Sequence, residues 1–217
     1  MSDPIRAYFD LRLADVRESL ETNGFTVHMA GGKDEARELV VQSIIPRLAP
    51  GSISFGGTTT LAECGIYEAI KQLDSVEVLD TWDKSLNPEA KLKLRRRALT
   101  VDLFFSGTNA LTEEGMLVNL DMIGNRVAAL AFGPKNVVIV VGRNKIVPDL
   151  EAAFARIKDV AAPVNTQRLK MKTPCVKTGR CMDCKSSERI CNVWTINEKS
   201  FPPGRIEVVL VNEDLGF

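Results

Sequence analysis

Histidine is almost missing from this sequence, and net charge is missing altogether. His28 is the only histidine, which argues against a histidine-centred catalytic triad. Twenty-eight basic residues balance twenty-eight acidic ones, so the formal net charge is zero. The chain therefore lacks the overall positive charge typical of proteins that bind nucleic acid or an anionic membrane surface.

Long apolar runs and targeting segments are also missing. The first residues, Met1 to Pro4, lead directly into a charged helical pattern without the basic and apolar regions of a signal peptide, and no apolar run approaches membrane-spanning length. We therefore expect a cytoplasmic protein without a membrane partner. With 217 residues, 45% of them apolar, the chain suits one domain with a small appendage.

The sequence alternates between helical and strand periods, which predicts an α/β fold with a mostly parallel sheet flanked by helices. A three- and four-residue apolar spacing over 5–20 predicts an opening helix, with Asp3 and Pro4 at its start. The β-branched run 137–141 predicts a central strand buried on both faces. The other elements that we predict are strands over 25–29, 52–55, 76–79, 101–105, 116–120 and 205–212, and helices over 34–45, 59–73, 88–99, 125–131 and 148–161.

These elements divide the chain into three parts. We expect an α/β domain over 1–165, a cysteine-rich segment over 166–200, and a closing strand over 201–217 that returns to the main domain. A basic run lies over 91–97, within the predicted helix that starts at Pro88. We interpret it as a solvated helix face, because the aromatic residues of a nucleic-acid patch are missing.

A glycine-rich loop follows the predicted strand that ends at Phe55. Glycine tolerates conformations and close approaches that other residues do not, and hydroxyl donors follow directly. With Thr59 or Thr60 capping the next helix, free N–H groups and the helix dipole would point at one spot, which suits phosphate or carboxylate. The alternative is a tight strand-to-helix turn with nothing bound. The candidate ligand-binding residues here are Gly56, Gly57, Thr58, Thr59 and Thr60.

Asn109 lies just beyond the carboxyl end of another predicted strand, where open α/β sheets bind their ligands. Glu113 and Glu114 follow on a loop beside Gly115. A carboxylate beside a glycine can act as a base or a nucleophile, so these two are the candidate catalytic residues. The alternative is a solvated acidic turn.

A second glycine-containing turn precedes the helix predicted at 125–131. Asn125 and Arg126 begin that helix, and arginine offers a fork of donors to carboxylate or phosphate. Lys145, shortly after the 137–141 strand, is a further candidate cation. The alternative for Arg126 is a surface ion pair.

Four of the five cysteines crowd into one short segment. Cys175, Cys181, Cys184 and Cys191 give the spacing C-x5-C-x2-C-x6-C. Zinc and iron-sulfur clusters both accept four thiolates, and this spacing matches neither a zinc ribbon nor a bacterial ferredoxin. Free thiols or disulfides are the alternatives, but a bound centre is favoured in a cytosolic chain. Cys64 lies apart and is interpreted as a core residue.

Several of these motifs together resemble the lactate-utilisation (LUD) domain family. The resemblance spans nearly the whole chain, and the cysteine-bearing tail is similar to that of one subgroup. The matching stretches are 56–61, 107–115, 124–129, 132–135 and 144–147.

The resemblance implies a fold similar to the superfamily of ribose-5-phosphate isomerase, glucosamine-phosphate deaminase and CoA-transferase. Those enzymes use a glycine- and hydroxyl-rich loop for phosphate or CoA, and some CoA transferases use a glutamate beside a glycine as nucleophile, to which Glu114 is similar. Family members accompany iron-sulfur subunits in oxidising lactate to pyruvate. This association favours an iron-sulfur cluster, of the 4Fe-4S type, over zinc.

Two functions follow as expectations. The first is a subunit or accessory protein of L-lactate oxidation that binds a small anionic metabolite and a cysteine-ligated centre, with iron-sulfur subunits as partners. The second is an isomerase or CoA-transferase-like enzyme acting on a phosphorylated or CoA-linked metabolite, with structural zinc. A metabolite-sensing or scaffold module is a third, non-enzymatic possibility.

Overall fold

A computed structural model describes residues 4–217 of the chain. Its centre is a six-stranded sheet in which every neighbouring pair is parallel. The strand order is β1-β10-β7-β4-β2-β3. The strands of this main sheet are β1 (Thr26–Ala30), β2 (Ser52–Phe55), β3 (Glu77–Leu79), β4 (Leu103–Ser106), β7 (Asn136–Gly142) and β10 (Ile206–Val211).

A second, four-stranded sheet lies beside the first, in the order β8-β5-β6-β9. It is mixed, because β6 pairs antiparallel with β5 and β9 whereas β5 and β8 are parallel. The sequence periods did not predict this sheet, although they did predict one of its strands, β6. Its strands are β5 (Ala110–Thr112), β6 (Leu117–Asp121), β8 (Ile146–Val147) and β9 (Val193–Asn197).

Ten α-helices occur in residues 4–217, several of them continued by short π or 3-10 turns. None of these helices is both long enough and apolar enough to span a membrane. The helices are α1 (Pro4–Thr22), α2 (Lys33–Leu39), α3 (Ile45–Leu48), α4 (Thr59–Glu63), α5 (Ile66–Lys71), α6 (Pro88–Arg97), α7 (Asn125–Ala131), α8 (Leu150–Arg156), α9 (Ala162–Arg168) and α10 (Pro174–Thr178).

The strand β7 explains why the main sheet has helices on both faces. Val137, Ile139 and Val141 belong to the apolar cluster that includes α1, whereas Val138 and Val140 belong to the cluster on the opposite face with α2 to α5. Successive side chains of a strand point to opposite faces, so a continuous β-branched run requires apolar partners on both. The predicted α/β class with a mostly parallel sheet is confirmed.

Several predicted helix boundaries were wrong. The helix predicted to end at 45, before Pro46, continues to Leu48, because Pro46 lies in the first turn of α3, which follows directly on a π turn. The predicted helix over 59–73 is two helices, broken where Gly65 takes a left-handed φ of 69°. Asp3, the predicted N-cap of α1, lies outside the described residues.

A buried carboxylate ties β10 to its surroundings. Glu207 is 1% exposed, and its Oε2 lies 2.7 Å from Nε2 of His28 and 2.5 Å from Nη2 of Arg47. Burial alone would raise the pKa of Glu207, but the hydrogen bonds from His28 and Arg47 outweigh it and hold the pKa below its ordinary value. The single histidine therefore has a structural partner.

The Glu207 contacts predict how stability depends on pH. A carboxyl whose folded pKa is depressed adds stability above its unfolded pKa, about 4.3 for glutamate, and that stability is lost as the pH falls through the lower folded value. We therefore expect the difference in unfolding free energy between the wild type and Glu207→Gln to shrink steadily from pH 6 to pH 3 in urea titrations. The control is Glu77→Gln, whose exposed pair with Arg97 should contribute little at any pH. A difference for Glu207→Gln that does not vary with pH would contradict the assignment.

Candidate functional site

A cleft of about 270 Å³ opens where β2 and β4 end. The carboxyl ends of parallel strands are the usual ligand side of an open α/β sheet. The cleft brings together the glycine-rich loop, the start of α7, and residues that lie far apart in the sequence. Its lining includes Gly57, Thr58, Thr59, Thr81, Trp82, Arg95, Gly107, Thr108, Asn109, Asp121, Asn125, Arg126, Lys145, Asn165, Arg168, Ile190 and Phe217.

Position 56 has no room for a side chain, because the side chain of Arg126 passes over Gly56. A Cβ at this position would lie 2.7 Å from Cγ of Arg126. At Gly107 a Cβ would meet the hydroxyl oxygen of Thr58 at 2.6 Å. The loops after β2 and β4 are therefore in close contact, and side chains larger than hydrogen would separate them.

The loop ends in α4, whose first turn carries no side-chain cap. Thr58 is the N-cap residue and has an extended backbone, but its side chain makes no capping hydrogen bond. The expectation that Thr59 or Thr60 caps the helix was wrong, since both lie inside it. The first N–H groups of a helix have no intrahelical partner, so in α4 they are open to another acceptor.

Arg126 is buried, 7% exposed, and its donors are already satisfied. Each of its five guanidinium N–H groups has a protein acceptor, so the fork predicted for a ligand is occupied. Nε donates to Asp121 Oδ1 at 3.0 Å, Nη1 to Gly107 O at 3.1 Å and Asn119 Oδ1 at 2.6 Å, and Nη2 to Asn109 Oδ1 at 2.8 Å and Leu120 O at 3.2 Å.

Arg126 therefore positions the site. It fixes the loop after β4 against β6, and it fixes Asn109, whose Oδ1 also accepts from the amide of Leu120 at 2.9 Å. The carbonyl of Asn109 accepts from Nη1 of Arg156 at 2.6 Å. Asn125, the first residue of α7, lines the cleft next to Arg126.

Lys145 lines the cleft from the 3-10 turn that follows β7. Its side chain is almost fully buried, and Nζ donates to the hydroxyl of Thr60 at 2.9 Å. Burial lowers the pKa of Lys145 to about 7, and the charges of Arg156 and Arg126 act in the same direction. Burial therefore favours the neutral form of this amine.

Glu113 and Glu114, the predicted catalytic carboxylates, do not line the cleft. The turn that joins β5 to β6 carries them away from it and against α1. Glu113 pairs with Arg12 of that helix, and Asn23 donates to the carbonyl of Glu114 at 2.8 Å. The structure therefore does not bring them together with the glycine-rich loop, and their catalytic role stays a prediction.

The four clustered cysteines line one small cavity of about 20 Å³ beneath α9. Cys175 Sγ lies 3.3 Å from the hydroxyl of Thr166 and 3.1 Å from that of Thr173, while Cys181 Sγ accepts from the amide of Asp183 at 3.4 Å. Such donors stabilise thiolates. Within residues 4–217, however, no three His, Cys, Asp or Glu side chains form a group that could hold a metal ion. The donor type fits a thiolate-ligated centre, but the side-chain spacing does not form a closed one.

The helix α9 lies between the cysteine cavity and the cleft. Asn165 and Arg168 line the cleft, whereas Ala162 and Thr166 line the cysteine cavity. Ile190 lines both. The two sites therefore share a wall.

Sequence reasoning missed two cations of the cleft. Arg95 belongs to the basic run interpreted as a solvated face, yet it lines the cleft and forms no hydrogen bond or ion pair with residues 4–217. Arg168 lines it from α9, with its Nη2 2.7 Å from Oδ1 of Asn165. The basic run did not distinguish Arg95 from its neighbours, because only the packing of α6 decides which of its arginines faces the cleft.

The fold and cleft define an α/β protein with a cleft lined by basic residues at the carboxyl edge of a parallel sheet. The chain belongs to the LUD domain family, whose model matches residues 13–211. Among solved structures, a DUF162 family protein from Deinococcus radiodurans is similar at 17% identity and a TM-score of 0.50, over 94% of this chain and 97% of that one. This likeness supports the fold.

A second solved structure, eIF2B delta from Chaetomium thermophilum, matches at 17% identity over 66% of this chain and 50% of that one. Its TM-score of 0.30 is too low to support an argument. No curated protein sequence matches the chain significantly.

Proposed function

We propose that the cleft binds a small anionic metabolite and that the protein is a subunit or accessory of L-lactate oxidation to pyruvate. One observation carries the proposal. Four basic residues line the cleft against a single acidic one, Asp121, in a chain whose net charge is zero. Positive charge is therefore concentrated at this site, which attracts anions.

The residues that line the cleft would contribute to anion binding in different ways. The open N–H groups at the start of α4 and the hydroxyls of Thr58 and Thr59 would donate hydrogen bonds to an anionic oxygen. Within residues 4–217 Arg95 forms no hydrogen bond or ion pair, and it would pair with a carboxylate or phosphate. Arg126 would act indirectly, by holding Asn109 in place.

The cysteine segment would provide a second centre. Cys175, Cys181, Cys184 and Cys191 would hold an iron-sulfur cluster, or alternatively zinc. A cluster would transfer single electrons, whereas zinc would only stabilise the segment. In the first case, iron-sulfur subunits of a lactate-oxidising complex would be the partners.

The number of basic residues that line the cleft suggests a second candidate function. Arg126 is neutralised by Asp121, and burial favours the neutral amine of Lys145, which leaves Arg95 and Arg168 as charged groups. Two cations exceed what one lactate carboxylate can neutralise. This favours a phosphorylated or CoA-linked metabolite and an isomerase or CoA-transferase-like activity.

Arg95→Met tests the binding site. We expect L-lactate, pyruvate, a phosphosugar or a CoA ester to raise the melting temperature of the wild type, and the affinity to fall about tenfold or more in the variant, because a charge-assisted hydrogen bond contributes about 1.5–3 kcal/mol. Thermal shift and calorimetric titration measure both.

The matched control is Arg96→Met. Arg96 is the next residue of the same helix but does not line the cleft, so its removal should leave the affinity unchanged. If no anion stabilises the wild type, or if the two variants behave alike, the proposed site is wrong. Stabilisation by the phosphosugar or the CoA ester alone would favour the second candidate function.

A further inference from the structure

Lys145 is placed where a charged lysine is poorly stabilised. Its side chain is 2% exposed, and within residues 4–217 no carboxylate forms a salt bridge with it. Its hydrogen-bond partner is a neutral hydroxyl, that of Thr60. Nevertheless Lys145 lines the open cleft. A buried amine that contacts a ligand site is unusual for a residue with a purely structural role.

The groups around Lys145 favour its neutral form. Arg156 and Arg126 oppose a further positive charge, and Glu63 and Cys64 act the other way but less strongly than burial. An amine desolvated and placed beside cations is the arrangement that activates lysine as a nucleophile toward carbonyl compounds. Arg95 and Arg168 line the same cleft as Lys145, so a ligand carboxylate can pair with them while its carbonyl group faces the amine.

We propose that Lys145 is a nucleophile that forms an imine with a carboxylate-bearing aldehyde or ketone, the class that includes 2-oxo acids. The nitrogen lone pair attacks the carbonyl carbon, and the two protons of the neutral amine pass to the carbonyl oxygen, in part relayed by the Thr60 hydroxyl. That oxygen leaves as water while a C=N bond replaces the C=O bond. The step needs no oxidant. It deepens the proposed function and rests on it, because it names a ligand class for the same cleft.

Reductive trapping tests the imine on the full chain. Pyruvate and sodium cyanoborohydride are added near neutral pH, and peptide mapping by mass spectrometry locates the reduced adduct. We expect Lys145 to be modified about tenfold or more faster than an ordinary lysine, whose pKa is near 10.4. Lys135, which is exposed and paired with Asp102, is the internal reference.

Two controls sharpen the experiment. Lys145→Arg should abolish the fast modification, whereas Lys135→Arg should preserve it. L-lactate has the carboxylate but no carbonyl, so it should compete with pyruvate for the wild type without being trapped. The wild-type and competition measurements do not depend on whether the Lys145 variant folds.

The outcomes separate the two proposals. If anions stabilise the protein but Lys145 is modified no faster than Lys135, the imine is excluded while the anion site stands. If no anion stabilises the protein and no trapping occurs, both proposals fail. Fast trapping at Lys145 that L-lactate suppresses supports both.

Discussion

Arg126→Met is expected to lower the free energy of unfolding by about 3–5 kcal/mol, as for other buried ion pairs that lose one partner. The variant keeps an apolar stem of similar length but removes all five donors. It leaves the Asp121 carboxylate, whose side chain is 11% exposed, without its cation. Since a domain is typically stable by about 5–15 kcal/mol, this is a large share of the total. Urea unfolding followed by circular dichroism measures it.

Arg97→Met is the matched control for this loss. Its arginine pairs with Glu77, but both side chains are more than half exposed, so we expect a change within about 1 kcal/mol. Arg126→Lys gives a graded test, because lysine retains the charge but has three donors in place of five. A wild-type unfolding curve for Arg126→Met would show that the guanidinium network contributes nothing to stability.

Replacing Cys181 and Cys184 together by serine is expected to remove all bound metal from the protein. The two thiols belong to the only C-x2-C pair of the quartet, and a four-thiolate centre loses half of its ligands. Anaerobic purification followed by iron, zinc and sulfide analysis measures the effect. Equal iron and sulfide with visible absorption would identify a cluster, whereas one zinc in a colourless protein would exclude the redox role.

Cys64→Ala is the control for the cysteine experiment. Burial raises the pKa of the Cys64 thiol to about 12, which makes it a poor ligand, and it lies outside the quartet. Its replacement should leave the metal content unchanged. A wild-type protein purified without oxygen that contains neither iron nor zinc would contradict the proposed centre.

Local sequence patterns predicted the elements that depend on local physics. The β-branched run became β7, and the glycine before Asn125 became the left-handed start of α7, which spans the predicted residues. Both signals lie within the element itself. The resemblance to the LUD domain family spans nearly the whole chain and implied the same fold class. The family match confirms the family, and the similar solved structure supports the fold.

The rest of the site depends on contacts between distant segments. No periodicity shows that the turn after β5 packs against α1, so Glu113 and Glu114 appeared to be available for the cleft. The sequence marks Arg126 as a cation near a helix start, but its five acceptors come from residues that only the folded chain assembles. Arg95 was hidden for the opposite reason, because its neighbours are equally basic.

The position of β10 in the main sheet has a consequence for the order of folding. β1 has only β10 beside it in this sheet, and nearly the whole described chain separates the two strands. β2, β3, β4 and β7 can pair earlier, since shorter connections join them, but β1 must wait until β10 has docked on β7. The cysteine segment lies in the connection between β7 and β10. A ligand or metal that orders the cysteine segment would therefore shorten the flexible connection between β7 and β10, and the slow docking of β10 on β7 would become faster.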